Sequence, residues 1–518
     1  MITMKRIAYI ISLSALLLGQ NACMSLDQDP QDKVRLEKSF KTPEEVRYWL
    51  NGIYTLLRDV EQGEAMYVAD IQADFLNVSK AENQRMPLYR DFHGWKNFSF
   101  SNQTTEVTEN IWKKKFNIIV NANVALEGVA QMSQQEAVKA LKGELYLTRA
   151  YCYTYLVTHY CKAYQAATAS TDLGLPIFDH FVSKTAPLQS SLEQTYQFIL
   201  ADIAQAEKLL AATQGKAGAT TFTIDAAKAL KARVLLYKGE WALAYAAARD
   251  LVENTRATYP LVTSENDLQA MWADDTTAET ITQLFALVEG NNIERPNGTN
   301  NLYADEFENK LDVFRPYILD PNLIPTQDFV DLFDAADWRK NVYIKEDNLS
   351  IDVFDPKMAY YVAKYPRNQA LTFKDEWFPY YGHKPKLFRI AEAYLIAAEA
   401  AAHLGQDADA QRYLNQLRQA RGLSTAITAT GATLLQEVQN ERNRELCFEG
   451  VRLHDLKRWG MGVKRGTPQD LSLRLITTEP ATETYQLDLP AGYYKMVWPI
   501  PAKDIEFENG RWKQNLNW

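Results

Sequence analysis

NERNRELCFEGVRLHDLKRWG, residues 440 to 460, decides how the rest of the chain is read. Glu441, Arg442, Arg444, Glu445, Glu449, Arg452, Asp455, Lys457 and Arg458 alternate in sign, and Leu446, Phe448, Val451, Leu453, Leu456 and Trp459 are threaded between them. So many apolar residues draw some of the charges towards the core. A charge there needs a partner, because removing one member of a buried pair costs ~3–5 kcal/mol. As an active site the stretch fails. His454 would need a nucleophile within hydrogen-bond reach and an orienting group, and adjacent Asp455 points elsewhere on a helix. Cys447 lies two helical turns from His454, about 10 Å, too far for a thiolate pair. The stretch is expected to be a charged brace within a helical fold.

Helical patterning extends outward from it. Apolar residues recur at three- and four-residue spacing in residues 111 to 132, 136 to 160, 191 to 212, 223 to 254 and 386 to 422, so each segment buries one face. Thr42-Pro43-Glu44-Glu45 supplies a capping box with proline at the first helical position, which predicts a helix through about Arg58. KGEWALAYAAARDL (Lys238 to Leu251) and LGQDADAQRYLNQL (Leu404 to Leu417) share a glycine followed by alanines three and five positions later. Each predicts a helix, a tight turn and a second helix, in the manner of a tetratricopeptide unit. Residues 256–385 differ, with Pro, Asn, Asp and aromatics clustered and helical periodicity mostly lost except at QDFVDLFDAADWR, and they are expected to form a loop-rich insertion.

The formal net charge of −9 argues against a general nucleic-acid binder. At the N-terminus Lys5 and Arg6 precede an apolar run from Ile7 to Leu18, too short for an ordinary membrane span, which reads as an export signal. Cys23 stands where the mature chain would begin, as in a lipobox, although Gln20 replaces the usual aliphatic residue three positions before it. Lipidation at Cys23 would give an anchor of more than one acyl chain, at ~0.8 kcal/mol per buried CH₂. Ordinary secretion and a buried cysteine are the alternatives. Cys152, Cys161 and Cys447 make an odd remainder, and the first two are about 13 Å apart along a helix, so no disulfide scaffold is indicated.

ERNRELCFEGVRLHDLKRWG resembles the signature helix of the SusD/RagB family, the cell-surface nutrient-binding lipoproteins that partner TonB-dependent transporters. IWKKKFNIIVNANVAL, KGELYLTRAYCYTYLVTHY, IPTQDFVDLFDAADWR, KLFRIAEAYLIAAEAAAHLG and the closing VWPIPAKDIEFENGRWKQNLNW resemble other family segments in the same order. CKAYQ, after Tyr160, departs from the family's usual Gly, polar residue and Pro, which touches one loop only. The resemblance implies a mainly α fold, with tetratricopeptide-like helix pairs forming a SusD-like α-α superhelical scaffold that carries a loop-rich, ligand-facing subdomain. It divides the chain into a signal peptide (1–22), a flexible tether (23–40), an N-terminal helical part (41–255), the insertion (256–385) and a C-terminal helical part (386–518).

No HExxH, GxSxG or P-loop occurs, and GMGVKRG follows a helix with the wrong spacing for a dinucleotide loop. The six histidines are dispersed, so neither a metal site nor a cofactor is expected. A sugar surface needs exposed aromatic rings for the C–H face of a pyranose, with amides, carboxylates or arginine for its hydroxyls. Residues 73 to 100 carry that mixture in Asp74, Asn77, Arg85, Tyr89, Arg90, Trp95 and Asn97, and the resemblance implies that the loop region after the first helix helps form the ligand site. A second group is Tyr303, Phe314, Arg315 and Tyr317, and a third centres on Trp377, with Tyr380 and Tyr381. For these two, docking of the insertion onto the scaffold is the competing role. Trp49, Trp112, Trp241 and Trp459 sit in apolar helical patterns and are assigned to packing, while Trp498, Trp512 and Trp518 are expected to pin the C-terminal tail.

The expected function, as the family implies, is binding without turnover. Glycan oligomers would be captured and passed to a SusC-like TonB-dependent transporter, with the protein lipid-anchored in the outer membrane and facing the exterior. Peptide cargo, as in the RagB branch, is the alternative. A surface glycoside hydrolase is a third reading and would need two carboxylates about 5–9 Å apart in an aromatic cleft.

Overall fold

The capping box forms as its sequence predicts. Thr42 Oγ1 accepts the Glu45 N–H at 3.3 Å, while the Glu45 carboxylate accepts the N–H groups of Thr42 at 3.4 Å and Lys41 at 2.6 Å. Helix α1 (Pro43–Glu61) follows and buries Val46, Leu50, Ile53, Tyr54 and Leu57 on one face. The computed structural model describes residues 39–61, 64–78, 92–95, 102–182, 185–286, 288–289, 292–293, 305–308, 317–321, 323–349, 357–366, 368–371, 383–469 and 487–518. Cys23 and the export segment lie outside them.

Helix α2 (Glu64–Gln72) leads into strand β1 (Leu76–Val78), and then come α3 (Asn102–Ala130), α4 (Lys139–Tyr160), α5 (Leu192–Leu209), α6 (Ile224–Lys238) and α7 (Trp241–Asn254). Past the insertion, strand β2 (Lys386–Arg389) runs directly into α8 (Ile390–His403), followed by α9 (Asp407–Gln419), α10 (Gly431–Leu446) and α11 (Arg452–Arg458). Successive helices lie side by side: α1 on α3, α3 on α4, α4 on α5, α5 on α6, α6 on α7, α7 on α8, and α8 on both α9 and α10. The two matching sequence segments form the hairpins α6–α7 and α8–α9. Each turns at a glycine of positive φ, Gly239 at 74° and Gly405 at 68°, where a side chain would be strained. Buried Ala244 and Ala248 on α7, and Ala397, Ala398, Ala400 and Ala401 on α8, allow the close approach of the two hairpins.

The insertion holds more regular structure than its sequence announces. Ser264 caps a helix, Glu265–Ala273, by accepting the Asp267 N–H at 3.1 Å. Strand Thr280–Gln283 pairs antiparallel with β2, tying the insertion to the scaffold. Four strands form one sheet: Lys357–Val362 pairs with Ile344–Leu349, which touches Tyr317–Asp320 in parallel, which pairs with Asp305–Glu308. Where the sequence predicts a helical stretch, in QDFVDLFDAADWR, the chain forms one four-residue helix, Gln327–Val330, and starts a second, Arg339–Val342, only at the last residue of the stretch.

The stretch from Glu441 to Arg458 is a brace. Glu445 is fully buried. Its carboxylate accepts from Arg421 (2.9 Å from both Nε and Nη2), Arg389 Nη1 (2.8 Å), Arg339 Nη1 (3.1 Å) and the Tyr343 hydroxyl (3.2 Å). Glu441 pairs with Arg339 at 2.7 Å, Arg444 at 2.6 Å and Arg418 at 3.3 Å. Burial alone would raise the Glu441 carboxyl, but Arg339 and Arg444 hold it down at about 2. Arg442 and Arg458 each reach Asp455 at 2.8 Å, and Arg458 also pairs with Glu399 at 2.5 Å. The turn between α10 and α11 requires Gly450. Its φ is 75°, and a Cβ would stand 2.6 Å from the Met66 carbonyl oxygen.

Cys152, Cys161 and Cys447 are free and buried, and burial pushes each thiol up to about 12. Trp112 and Trp498 are enclosed in the core, Trp49 and Trp241 pack against it at partial exposure, and half-buried Trp459 donates its Nε1–H to Glu399 at 2.7 Å. The C-terminal tail is pinned: the Trp498 N–H donates to the His159 carbonyl at 2.8 Å, and Trp518 Nε1 donates to the Val497 carbonyl at 2.8 Å. Among the described residues no helix is long and apolar enough to cross a membrane.

Candidate functional site

The two main candidate segments meet at one small sheet. Strand β1 pairs antiparallel with strand Leu323–Pro325, in the register Leu76↔Pro325, Asn77↔Ile324 and Val78↔Leu323. The chain therefore enters residues 79–91 from the strand position opposite the one at which it leaves residues 300–322. Gln469 joins the four-stranded sheet to this pair, because its Nε2 donates to the carbonyls of Pro325 and Tyr360, both at 2.9 Å, and its Oε1 accepts the Tyr360 N–H at 2.8 Å. The described flank of the third segment, Lys384 to Lys386, is held by Asp275. That carboxylate takes Lys386 Nζ at 2.6 Å, Asn368 Nδ2 at 2.8 Å and the Lys384 N–H at 3.2 Å. Burial alone would raise Asp275, but Lys386 and His383 hold it below the usual carboxylate range.

Both ends of residues 79–91 are clamped from a distance. Buried Arg465 spreads its guanidinium over three carbonyls, those of His93 (2.7 Å), Ala73 (3.2 Å) and Ile71 (3.3 Å). Burial pushes it down to about 9, against the pull of Asp74. Lys495 Nζ donates to the Trp95 carbonyl at 2.9 Å. The brace reaches the same place: Arg452 grips Asp74 with Nε at 2.8 Å and Nη2 at 2.6 Å, and the Gly450 N–H donates to Asp70 Oδ2 at 2.8 Å. Burial pushes Asp70 up to about 7 despite that bond. Sequence reasoning misses Arg465, Gln469 and Lys495, since nothing local marks a lysine that acts 400 positions away.

Three predicted ligand contacts are taken up by the fold. Trp95 is 3% exposed, with its Nε1 donating to the Gln72 carbonyl at 2.9 Å and its ring edge-on to Tyr493 at 5.9 Å. It is a packing residue at the base of the segment rather than an open platform. Asn77 is fully buried, with Oδ1 3.4 Å from His93 Nε2, and Asp74 has both carboxylate oxygens engaged by Arg452. Their role is to hold the segment's ends. Tyr317 opens a strand of the four-stranded sheet, opposite Glu308. Arg85, Tyr89, Arg90, Asn97, Tyr303, Phe314, Arg315 and Trp377 lie outside the described residues, as do Tyr380 and Tyr381. Among the described residues no cluster of His, Cys, Asp and Glu is disposed to hold a metal ion.

Comparison with known proteins places this architecture. The profile of the SusD family matches residues 241–518, and a second profile, described as starch-binding and associating with outer membrane, matches residues 26–236. The chain belongs to the SusD/RagB family. SusD-like protein P38 of Formosa agariphila is 24% identical over 506 residues, covering 89% of this chain and 93% of its own. A SusD superfamily protein of Bacteroides vulgatus shares the fold at a TM-score of 0.73 and 22% identity, over 92% of this chain and all of the other. The surface glycan-binding protein A of Bacteroides fluxus superposes at a TM-score of 0.68 and 21% identity, again over 92% of this chain and all of the other. In this SusD-family chain the brace lies within the part that the family profile matches, residues 241–518.

Proposed function

We propose that this chain captures glycan oligomers at the cell surface and passes them to a SusC-like TonB-dependent transporter, held at the outer membrane by lipid on Cys23. The observation that supports this most is the pairing of Val78 with Leu323. It sets the residue before 79–91 beside the first described residue after 322, and in the two stretches of sequence that this pairing flanks the proposed contacts are Arg85, Tyr89, Arg90, Tyr303, Phe314, Arg315 and Tyr317. Rings to cover the apolar face of a sugar and guanidinium groups to bond its hydroxyls are what such a surface requires. The matched profile's description as starch-binding, and the glycan-binding relative of the same fold, favour this cargo.

Binding without turnover is the mechanism. Carboxylates beside the segment ends already serve as structural partners, Asp74 for Arg452 and Asp275 for Lys386, so neither is free as a general acid. The energy for uptake would come from the transporter. Calorimetry of the chain lacking residues 1–23 against plant, host and microbial glycans and mixed peptides, with chromatography of the products, tests this. Saturable binding of a glycan that is recovered intact is expected. Binding of peptides alone would replace the cargo, and shortened glycans would replace binding with catalysis.

A further inference from the structure

Beneath the brace, between α4, α6 and α11, lies a cavity of about 180 Å³. Its walls combine the aromatic side chains of Tyr151, Tyr155, Tyr237 and Trp272 with three histidines, His159, His383 and His454. His454 is 4% exposed, and neither of its ring nitrogens has a hydrogen-bond partner. His159, 6% exposed, stacks on Tyr155 with centroids 4.1 Å apart and donates from Nδ1 to the Tyr155 carbonyl at 2.8 Å. That bond fixes its tautomer, leaving Nε2 as an acceptor, also without a partner. Buried polar atoms with nothing to bond are costly, so two such rings on one cavity call for a ligand that can both donate and accept.

The electrostatics define its charge. Burial pushes His159 down to about 3 and His454 well below the usual histidine range, so both are neutral near pH 7. Apart from half-buried Lys384, the charged groups of the wall already form ion pairs: Arg233 with Glu392 at 2.6 Å, Lys386 with Asp275 at 2.6 Å, Glu61 with Lys115, and Glu449 with Arg389 at 2.5 Å and Lys364 at 2.7 Å. Apart from an anion seated on Lys384, an ionic ligand would have to break one of these pairs. A neutral ligand would not. The volume exceeds the roughly 30 Å³ share of a single water and falls short of the roughly 300 Å³ at which pockets for drug-sized molecules begin. Hydroxyl groups, which donate and accept, match the two imidazoles, and the C–H faces of a small ring match the aromatic walls.

We propose that this cavity is a second, interior ligand site that takes one small neutral polyhydroxylated molecule, of the size of a single sugar ring or cyclitol, with His454 and His159 as its hydrogen-bonding groups. It stands apart from the proposed capture surface, because no residue of 79–91 or 300–322 lines it. Failure of glycan capture at the surface therefore leaves it intact.

The test uses the full chain with ¹⁵N-labelled histidine. Ring-nitrogen resonances are followed by NMR on addition of D-glucose, D-galactose and myo-inositol, with phosphate and acetate as charged controls. A saturable shift of the His454 and His159 signals with at least one neutral probe, and none with the anions, is expected. A folded His454→Gln variant should bind that probe about two- to tenfold more weakly, the loss of one neutral hydrogen bond. Unmoved ring signals with every neutral probe overturn the proposal, as does a shift produced by the anions, or unchanged affinity in a His454→Gln variant that melts like the parent. Should that variant fail to fold, the unsubstituted chain's own titration still decides.

Discussion

The stretch from Glu441 to Trp459 and the end of the molecule around Asp74 to Trp95 use the same kinds of residue, charged groups threaded with aromatics, yet their sequences invite opposite readings. The Glu441–Trp459 stretch has the composition of an active site and is a brace, with Glu445 shared among Arg339, Arg389 and Arg421. The Asp74–Trp95 region has the composition of an open sugar platform, but its described members are anchors: Trp95 and Asn77 are enclosed, and Asp74 is gripped by Arg452. What separates an anchor from a contact is burial supplied by distant chain, which residue type does not reveal. The brace also reaches the Asp74–Trp95 region through Arg452 and Gly450, so the two form one mechanical unit.

Acid is expected to produce the largest effect, because it acts on many buried groups together. His159, held down to about 3, and His383, held down to about 4 by burial, bind fewer protons folded than unfolded below about pH 6.5, so stability falls as pH drops through that range. Glu441 and Glu399, both held down to about 2, add their loss below about pH 4.5. Asp70, raised to about 7, works the other way between about pH 4 and 7 and offsets part of it. The melting temperature should therefore drop from pH 7.5 to pH 4.5; an unchanged value would contradict the buried, neutral histidines.

Next comes Glu445→Ala, which strands three buried guanidinium groups and should cost ~3–5 kcal/mol in urea unfolding. A cost below about 1 kcal/mol, the level of an exposed pair, would break the contrast between brace and surface. Asp74→Ala should remove about 1.5–3 kcal/mol, because it deletes a two-pronged bond to a charged, largely buried arginine. Trp95→Phe keeps the ring and loses one hydrogen bond, for about 1–3 kcal/mol. If it instead abolished glycan binding at full stability, Trp95 would be a ligand contact after all. Tyr48→Ala, at a side chain 72% exposed, should stay within about 0.5 kcal/mol.

Much of the scaffold was legible because its signals are local. The Thr42–Glu45 box, the glycine turns at 239 and 405, and the apolar faces of α1 and α9 each lie within a few residues of what they specify. The brace was legible for a different reason: interleaved Leu, Phe and Trp force charges inward, and physics then demands partners, though not which ones. Asp337 and Glu279, partners of Arg339 and Arg421, are more than a hundred positions from the stretch they complete. The insertion hid its sheet because strand Ile344–Leu349 buries only its two ends, leaving polar residues between and no alternation to read. Its helix at Glu265–Ala273 did carry a signal, Ser264 with acidic residues in the first turn, but over nine residues only. At the candidate site, residue type did not show that Trp95 is enclosed, since it owes its burial to Tyr493 and the C-terminal tail.

The central claim is that glycan is held by the two segments that flank the pairing of Val78 with Leu323. Affinity for the glycan found in the screen should be measured by calorimetry in Tyr89→Ala and Tyr317→Ala variants with unchanged melting temperatures. The account predicts that each substitution weakens binding by roughly tenfold or more, as loss of a ring from a contact surface does. Unaltered affinity in both variants would contradict it.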